Sequence, residues 1–147
     1  MELQEINHAT PELMDAMAHL IPQVSGAPLP GLAELEEIAS SPNSRLWIVR
    51  DPAQGGKITG TLTLALVRVP TGVRAWIEDV VVDTAARGQG IGEALVRTAL
   101  EEAARAGAIS VELTSRPSRE AANRLYQRLG FIQPQTNFYR YVIRKPE

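Results

Sequence analysis

The first forty residues alternate between short apolar patterns and loop signals. Residues Leu3–Asn7 predict a short strand, and Thr10-Pro11-Glu12 supplies the N-cap, the first-turn proline and the acidic residue that open a helix. We expect this helix to end near Pro22. Three prolines and two glycines between Ile21 and Gly31 are incompatible with a helix interior, so a loop should follow. A second, short helix is then predicted through Leu32, Leu35 and Ile38.

The middle of the chain is rich in β-branched residues and turn signals. Leu46–Val49 predicts one strand, and the turn Gln54–Lys57 leads into a long strand, Ile58–Val69. After a second turn at Pro70–Gly72, Ala75–Asp83 predicts a strand that is apolar on both faces at its valine run, as a strand inside a sheet requires.

The last third of the chain predicts a crossover unit and then a helix. Ile91–Ala106 has helical spacing, Gly107 is a stop signal, and Ile109–Thr114 predicts a strand, so the unit suits a right-handed parallel pair. Ser118 is predicted to cap a helix over Arg119–Leu129, which Gly130 should end. The final predicted strands are Phe131-Ile132 and Phe138–Ile143.

Composition narrows the class of protein. The length of 147 residues suits one domain over residues 1–147. The 15 basic and 17 acidic residues leave a net charge of -2, which gives no general attraction to nucleic acid or to a membrane surface. The absence of cysteine excludes thiolate metal ligands and a cysteine acyl-enzyme, and no metal site is predicted. With no leader and no long apolar run, we expect a soluble, cytoplasmic protein.

A glycine-rich loop at Arg87–Gly92 joins the valine strand to the helix that begins near Ile91. Glycines let backbone N–H groups approach a phosphate closely, and the unpaired amides of a helix start favour an anion. The glycines taken alone are equally consistent with a tight turn. Nucleotide motifs do not fit, because no Gly-Lys-Ser/Thr closes the loop and Glu93 stands where a dinucleotide fold needs glycine.

The loop also resembles a known family signature. Arg87-Gly88-Gln89-Gly90-Ile91-Gly92 matches the pattern Q/R-x-x-G-x-G/A of the GNAT superfamily of acetyl-CoA-dependent N-acetyltransferases, and Ala122–Phe131 is similar to its second motif. The resemblance covers essentially the whole chain. It implies the GNAT acyl-CoA N-acyltransferase fold, an α/β (α+β) architecture whose central, mostly antiparallel mixed sheet contains a splayed parallel pair and is flanked by helices. It also implies acetyl-CoA as the co-substrate.

The resemblance further implies which residues contact the cofactor. Backbone amides from Gly88 to Gly92 should hold the CoA pyrophosphate, the valine run should pair with the pantetheine arm as an added strand would, and one N–H there should polarise the thioester carbonyl. The implied cofactor-binding residues are Val80, Val81, Val82, Arg87, Gly88, Gln89, Gly90, Ile91, Gly92, Glu93, Asn123 and Tyr126.

Glu78 and Asp79 interrupt an otherwise apolar strand, where regular alternation would point them to opposite faces. Ion pairing is a structural explanation for each of them, and it is the favoured one for Asp79. Trp76–Val80 resembles the glucosamine-phosphate N-acetyltransferases, and an acid on this strand commonly acts as the base in the superfamily. The resemblance therefore implies Glu78 as the catalytic base, and desolvation would raise its pKa and assist this role.

A polar flank on the last predicted helix supplies the remaining candidates. Arg119, Asn123 and Tyr126 are spaced at i, i+4 and i+7 beside an apolar stripe that could instead make Tyr126 a core residue. Tyr126 is interpreted as the general acid toward sulfur, Asn123 as a pantetheine contact and Arg119 as a further phosphate contact. Solvated positions are expected for Arg116 and Arg124, and solvated or core positions for His8 and His19, which are distant in sequence from the cofactor motifs.

The predicted activity is acetyl transfer from acetyl-CoA to a primary amine, preferably of a small molecule, by direct attack in a ternary complex. A peptide or protein amine is an alternative acceptor, and a non-catalytic acyl-CoA-binding or regulatory module is an alternative function. Acceptor choice should lie with Pro22–Leu32 and Gln133–Phe138, which contain no recognisable code. A homodimer is common among similar proteins, but no partner face is evident.

Overall fold

The computed structural model describes residues 1–144, and the chain divides into two compact units, Met1–Leu113 and Thr114–Glu147. The first unit contains β1 (Glu2–Glu5), α1 (Pro11–Leu20), α2 (Leu32–Ser40), β2 (Ser44–Asp51), β3 (Lys57–Val69), β4 (Gly72–Val82), α3 (Ile91–Arg105) and β5 (Ala108–Glu112). The second unit contains α4 (Glu120–Arg128). Short 3-10 helices follow α1 at Ile21–Gln23, β2 at Pro52–Gln54 and β4 at Thr84–Ala86.

The five strands form one sheet in the order β1-β2-β3-β4-β5. Neighbouring strands are antiparallel except for β4 and β5, which are parallel and are joined through α3. This arrangement confirms the predicted fold class, a mixed and mostly antiparallel sheet with one parallel pair and flanking helices.

Local signals place α1 where the sequence predicts it. The Thr10 hydroxyl oxygen accepts a hydrogen bond from the Leu13 N–H at 3.1 Å, and Pro11 occupies the first helical position, where a missing N–H costs nothing. The α-helix ends at Leu20, and the chain continues as the 3-10 turn that contains Pro22. The predicted end of the helix is therefore correct to within two residues.

The sheet has a hydrophobic core on each face. One core lies under α1 and α2 and includes Leu13, Leu35, Ile48 and Val81. On the other face α3 packs on β3 at Gly60, where a Cβ would stand 2.7 Å from Ile91 Cγ2 and 3.3 Å from Leu95 Cδ1. The missing side chain of Gly60 therefore allows the first turn of α3 to rest directly on the sheet.

In the second unit, the start of α4 differs from the prediction and its end agrees with it. The N-cap is Arg119 rather than Ser118, and no side chain caps this end. Gly130 ends the helix as predicted, with φ at 101° and its N–H donating to the Gln127 carbonyl at 3.1 Å.

The strands predicted at Phe131-Ile132 and Phe138–Ile143 are absent, so these two predictions were wrong. A strand requires a partner for its backbone, and no residue from 131 to 144 enters a ladder. The Phe131 N–H instead closes the end of α4 by donating to the Tyr126 carbonyl at 3.0 Å. Tyr139 and Ile143 are 84% and 93% exposed, so the strand-like composition of this segment is not matched by burial.

Candidate active site

The parallel pair opens partway along its length. The register between β4 and β5 ends at the pair Trp76–Glu112, so β4 continues from Ile77 to Val82 without a β5 partner. The valine run that the sequence assigns to the pantetheine arm, Val80–Val82, lies on this open edge. The splayed pair implied by the family resemblance is thus present in the structure.

A β-bulge interrupts β4 at its two carboxylates. Glu78 is opposite Thr63 and Val81 is opposite Thr61, which leaves Leu62 facing two residues, Asp79 and Val80. Asp79 adopts φ of 50° and is the only non-glycine residue with positive φ among residues 1–144. Aspartate tolerates this left-handed conformation better than most residues. The bulge was not predicted, although adjacent carboxylates inside an apolar strand were a signal of irregularity.

The bulge changes which face of the sheet each residue occupies. Val81 packs in the core under α1 and α2, and its partner Thr61 lies on the same face. Thr63, two residues along, shares that face, so its partner Glu78 also lies on the side of α1 and α2. Regular alternation does not continue through Asp79, and both carboxylates are exposed. The desolvation expected for Glu78 is therefore not provided by burial in this structure.

Backbone groups at the end of β4 point toward the open edge. The Asp83 N–H donates to the Thr59 carbonyl on β3 at 2.8 Å. Because backbone groups alternate along a strand, the N–H and C=O of Val82 point the other way, away from β3. This edge can therefore hydrogen-bond an extended chain of amides, as the edge of any sheet can.

The glycine loop ends in a helix start without a side-chain cap. Gly88 and Gly90 adopt φ of 82° and 78°, and no atom lies within 4 Å of the position that a Cβ would take on either residue. The first intrahelical bond of α3 runs from the Ala94 N–H to the Gly90 carbonyl at 3.0 Å. The amides of Ile91, Gly92 and Glu93 precede it and have no carbonyl within the helix. A phosphate fits this cradle, since the backbone N–H groups are accessible and no side chain fills the space.

The side chains of the glycine loop differ in whether they can contact a bound ligand. Arg87 and Gln89 are exposed, whereas Ile91 is buried against Gly60, so Ile91 can offer a ligand its backbone amide but not its side chain. Glu93 lies in the first turn of α3 with an oxygen 3.8 Å from Arg97 Nε, an i, i+4 pair that moderates its negative charge near the cradle.

Asp83 anchors the chain between β4 and the glycine loop. Its carboxylate is nearly buried and accepts a hydrogen bond from the Ala85 N–H at 3.2 Å, while His19 Nε2 lies 2.9 Å and Lys57 Nζ 3.8 Å from Oδ2. Burial raises the pKa of Asp83, but the Ala85 N–H, His19 and Lys57 together lower it further, so the net pKa lies below the usual value.

The side chain of His19 is partly exposed, which is compatible with the predicted solvated or core position, but its contact with Asp83 was not predicted. His19 is distant in sequence from the cofactor motifs, yet it contacts the residue that leads into the glycine loop. No local pattern connects two residues 64 positions apart, so the sequence gives no signal for this contact. His8 is 86% exposed, which agrees with its predicted solvated position.

In the second unit, the polar flank of α4 is partly engaged in local contacts. Asn123 Nδ2 donates to the Arg116 carbonyl at 3.0 Å and ties the helix start to the preceding turn. Tyr126 is 7% exposed and its ring lies 5.7 Å from that of Phe131 in an edge-to-face arrangement. Burial raises the pKa of Tyr126, and Arg119 partly offsets the effect. The hydroxyl therefore stays protonated at neutral pH. Arg116 and Arg124 are exposed, as predicted.

A cavity of about 290 Å³ lies elsewhere, between β1 and the start of α1. Arg50 lines it, but the guanidinium is held by Glu12 with two hydrogen bonds of 2.8 Å and by Gln4 at 3.0 Å. The hydrogen bonds from Arg50 lower the pKa of the Glu12 carboxyl. None of the residues predicted for catalysis or cofactor binding lines this cavity.

Among residues 1–144, no cluster of three or more His, Asp or Glu side chains is arranged to hold a metal ion. No helix in the same range has both the length and the apolar character needed to cross a bilayer.

The sequence profile of the acetyltransferase (GNAT) family matches residues 12–131. The chain therefore belongs to this family, whose members use acetyl-CoA as co-substrate and act on amines. Membership confirms the family resemblance and the enzyme class predicted from the sequence, that of acetyl-transferring enzymes.

Three individual proteins illustrate what the chain is similar to. The chain is 32% identical over 104 residues to glucosamine 6-phosphate N-acetyltransferase 1 of Oryza sativa subsp. japonica, a match that covers 69% of this chain and 61% of that protein. A putative acetyltransferase from Agrobacterium tumefaciens is 25% identical, with a TM-score of 0.76 and coverage of 97% and 100%. A transcriptional regulator from Bacillus halodurans is 27% identical, with a TM-score of 0.78 and coverage of 96% and 100%.

Proposed function

We propose that the chain transfers an acetyl group from acetyl-CoA to a primary amine by direct attack in a ternary complex. The proposal rests on two binding surfaces that follow each other directly along the chain, a strand edge and a helix start. The open edge of β4 at Val80–Val82 leads through Asp83 into the glycine loop and the uncapped start of α3. A strand edge suits the amide groups of pantetheine, and the helix start suits the pyrophosphate.

The residues of the loop and strand would hold the cofactor mainly through the backbone. Amides from Gly88 to Glu93 would bind phosphate oxygens, with Arg87 and Gln89 at the rim, and Val80–Val82 would bind pantetheine. Acetyl-CoA supplies an acetyl group activated as a thioester. A backbone N–H of the valine run would donate to the thioester carbonyl and stabilise the negative charge that grows on this oxygen during attack.

Glu78 is proposed as the base that takes a proton from the attacking amine, directly or through water. Its place on the face of α1 and α2 supports this role, because the segment expected to select the acceptor, Pro22–Leu32, connects those two helices. Tyr126 is proposed as the acid that donates its proton to sulfur as the carbon–sulfur bond breaks, and Asn123 as a pantetheine contact. The family motif supports both assignments, and they require residues 1–147 to act as one domain.

A phosphorylated amino sugar is the first acceptor to examine, because the similar rice protein is named for glucosamine 6-phosphate. The charge distribution supports an anionic ligand. Seven of the 15 basic residues but two of the 17 acidic residues lie from Thr114 to the end of the chain. That segment can attract the phosphates of CoA, of the acceptor or of both.

The test is to measure the thiol released from acetyl-CoA in the presence of a panel of amines. Glucosamine 6-phosphate and glucosamine form a matched pair that differs by the phosphate, and spermidine and a peptide with a free N-terminus represent other acceptors. We expect thiol release with at least one small amine, and faster release with glucosamine 6-phosphate than with glucosamine.

The outcomes separate the candidate functions. CoA binding without thiol release for any amine would support the non-catalytic module in place of the enzyme. Thiol release with the peptide alone would show that the acceptor is a peptide amine and not a small-molecule amine. Equal rates with both sugars would show that the phosphate of the acceptor is not recognised.

A further inference from the structure

The end of α1 is fastened to the chain that enters the glycine loop. His19, in the last turn of α1, lies with Nε2 2.9 Å from Asp83 Oδ2. Gln23, in the 3-10 turn that follows, accepts the Thr84 N–H at 3.0 Å through Oε1 and donates to the His19 carbonyl at 3.2 Å through Nε2. We call these four residues, His19, Gln23, Asp83 and Thr84, the α1 clamp.

The clamp acts on the backbone that sets the path of the loop. Asp83 donates its N–H to the Thr59 carbonyl on β3, and its own carbonyl accepts the Ala86 N–H, both at 2.8 Å. Its buried carboxylate needs partners, because an unpaired buried charge is costly. His19 Nε2 lies closer to this carboxylate than the other side chain that pairs with it, Lys57, whose Nζ is 3.8 Å from Oδ2.

The clamp also includes part of the segment expected to select the acceptor, because Gln23 belongs to Pro22–Leu32. Residues Val24–Gly31 follow Gln23 directly and lead to α2. Movement at the end of α1 would therefore be transmitted to Asp83 and Thr84, which precede the glycine loop by a few residues.

We infer that His19 and Gln23 are positioning residues for CoA binding, which hold the start of the glycine loop in its phosphate-binding conformation through Asp83 and Thr84. The inference rests on the proposed function in that CoA is taken as the ligand of the loop. Neither side chain belongs to the predicted cofactor contacts, so both act through the backbone of Asp83–Ala86.

The experiment measures CoA binding by titration calorimetry for the wild-type chain and four variants. His19→Ala removes the partner of Asp83 and should weaken CoA binding about tenfold, as expected for a hydrogen bond to a charged group. His19→Gln can place an amide N–H near the position of Nε2 and should bind within about threefold of wild type. Gln23→Ala removes a neutral acceptor and should weaken binding about threefold. His8→Ala, which changes an exposed histidine outside the clamp, should bind as wild type does.

Amide hydrogen exchange of the protein without ligand provides a second measurement. His19→Ala and Gln23→Ala should speed exchange at Thr84, Ala85 and Ala86, and His8→Ala should not. If the clamp had a purely structural role, His19→Ala and Gln23→Ala would lower thermal stability but would bind CoA at 25 °C as tightly as wild type. His19→Ala and His19→Gln would then not differ in CoA affinity.

The outcomes distinguish this inference from the proposed function. If the wild-type chain binds no CoA, both are wrong. If it binds CoA and both His19→Ala and Gln23→Ala bind equally well, the clamp does not position the loop, while the proposed function stands. Should His19→Ala fail to fold, Gln23→Ala decides the question, because its half-buried side chain leaves no buried charge unpaired when removed.

Discussion

Two adjacent carboxylates of β4 differ in backbone conformation, and this difference separates their expected roles. Glu78 keeps the extended conformation on the face of α1 and α2, whereas Asp79 takes the left-handed conformation of the bulge. We predict that Glu78→Gln lowers kcat about 100-fold, within the range for losing a general base. The amide preserves the size of the side chain but cannot accept the proton of the amine.

Asp79→Asn is the matched control for this prediction. It removes a neighbouring charge of the same sign, and asparagine also tolerates positive φ, so the bulge should persist. Steady-state kinetics of both variants with the same amine decide the assignment. Equal losses in the two variants would assign the effect to negative charge in general rather than to a base at Glu78.

Tyr126 is buried, and its hydroxyl stays protonated at neutral pH. Tyr126→Phe keeps the ring beside Phe131 and removes the hydroxyl, so we expect kcat to fall about tenfold or more while CoA affinity and thermal stability stay near wild type. Kinetics, CoA titration and a melting curve measure the three quantities. Tyr139→Phe, at an exposed position, is the control. Unchanged turnover in Tyr126→Phe would remove this residue as the acid.

At the level of elements, the glycine loop can be tested against a turn with nearly the same geometry. Gly90 has φ 78° and ψ 14°, and Gly55 in the β2–β3 turn has φ 68° and ψ 23°. At both residues the space that a Cβ would occupy is open, with no atom within 4 Å. We predict that Gly90→Val abolishes measurable CoA binding, because the side chain enters the phosphate cradle.

Gly55→Val imposes the same backbone strain outside the site, of about 1–3 kcal/mol. It should lower thermal stability by a similar amount and leave CoA affinity unchanged. Calorimetric titration and thermal unfolding of both variants make the comparison. Tight CoA binding by Gly90→Val would contradict the assignment of the loop.

The elements that the sequence predicted well are those defined by local patterns. The strand–loop–helix unit around Arg87–Gly92 follows from short-range periodicity and glycine placement, and α3 begins at Ile91 as predicted. The bulge at Asp79 and the absence of strands after Phe131 depend on which backbone lies alongside, and no single segment carries that information. The composition of Phe138–Ile143 favours a strand, but composition alone cannot supply its partner.

At the scale of the whole molecule, Asp83 links stability to pH. Its folded-state pKa is lowered, so its contribution is complete above the unfolded-state pKa and is lost as pH falls through the lower folded-state value. We predict that Asp83→Asn reduces the free energy of unfolding at pH 7 by roughly 1–3 kcal/mol. The difference from wild type should shrink below about pH 4, where Asp83 begins to be protonated in the unfolded chain.

Urea unfolding of both proteins at pH 7 and at several lower values measures this difference. The comparison isolates the carboxylate, because the side chains that pair with it, His19 and Lys57, are the same in both proteins. A difference that stays constant down to about pH 3 would contradict the assignment.

The contact between His19 and Asp83 also marks the limit of prediction for the site. The cofactor loop was identified from its own residues, whereas the histidine that supports it lies on α1 and is brought there by packing across the sheet. The face of the sheet on which Glu78 lies is likewise determined by packing between strands. It follows from the pairing of Glu78 with Thr63 and not from alternation along β4.

The bulge gives β4 an unequal tolerance to changes in sequence and in length. Residues such as asparagine or glycine can replace Asp79, because they accept a positive φ. Removing Asp79 would restore plain alternation without changing the pairs that follow, so Val81 would stay opposite Thr61 and in the core under α1 and α2. Straightening the strand with the extra residue still present would instead turn the following segment over, and Val82 would then present its N–H to β3. Deleting Asp79 should therefore disturb the register less than replacing it with a β-branched residue that rejects a positive φ.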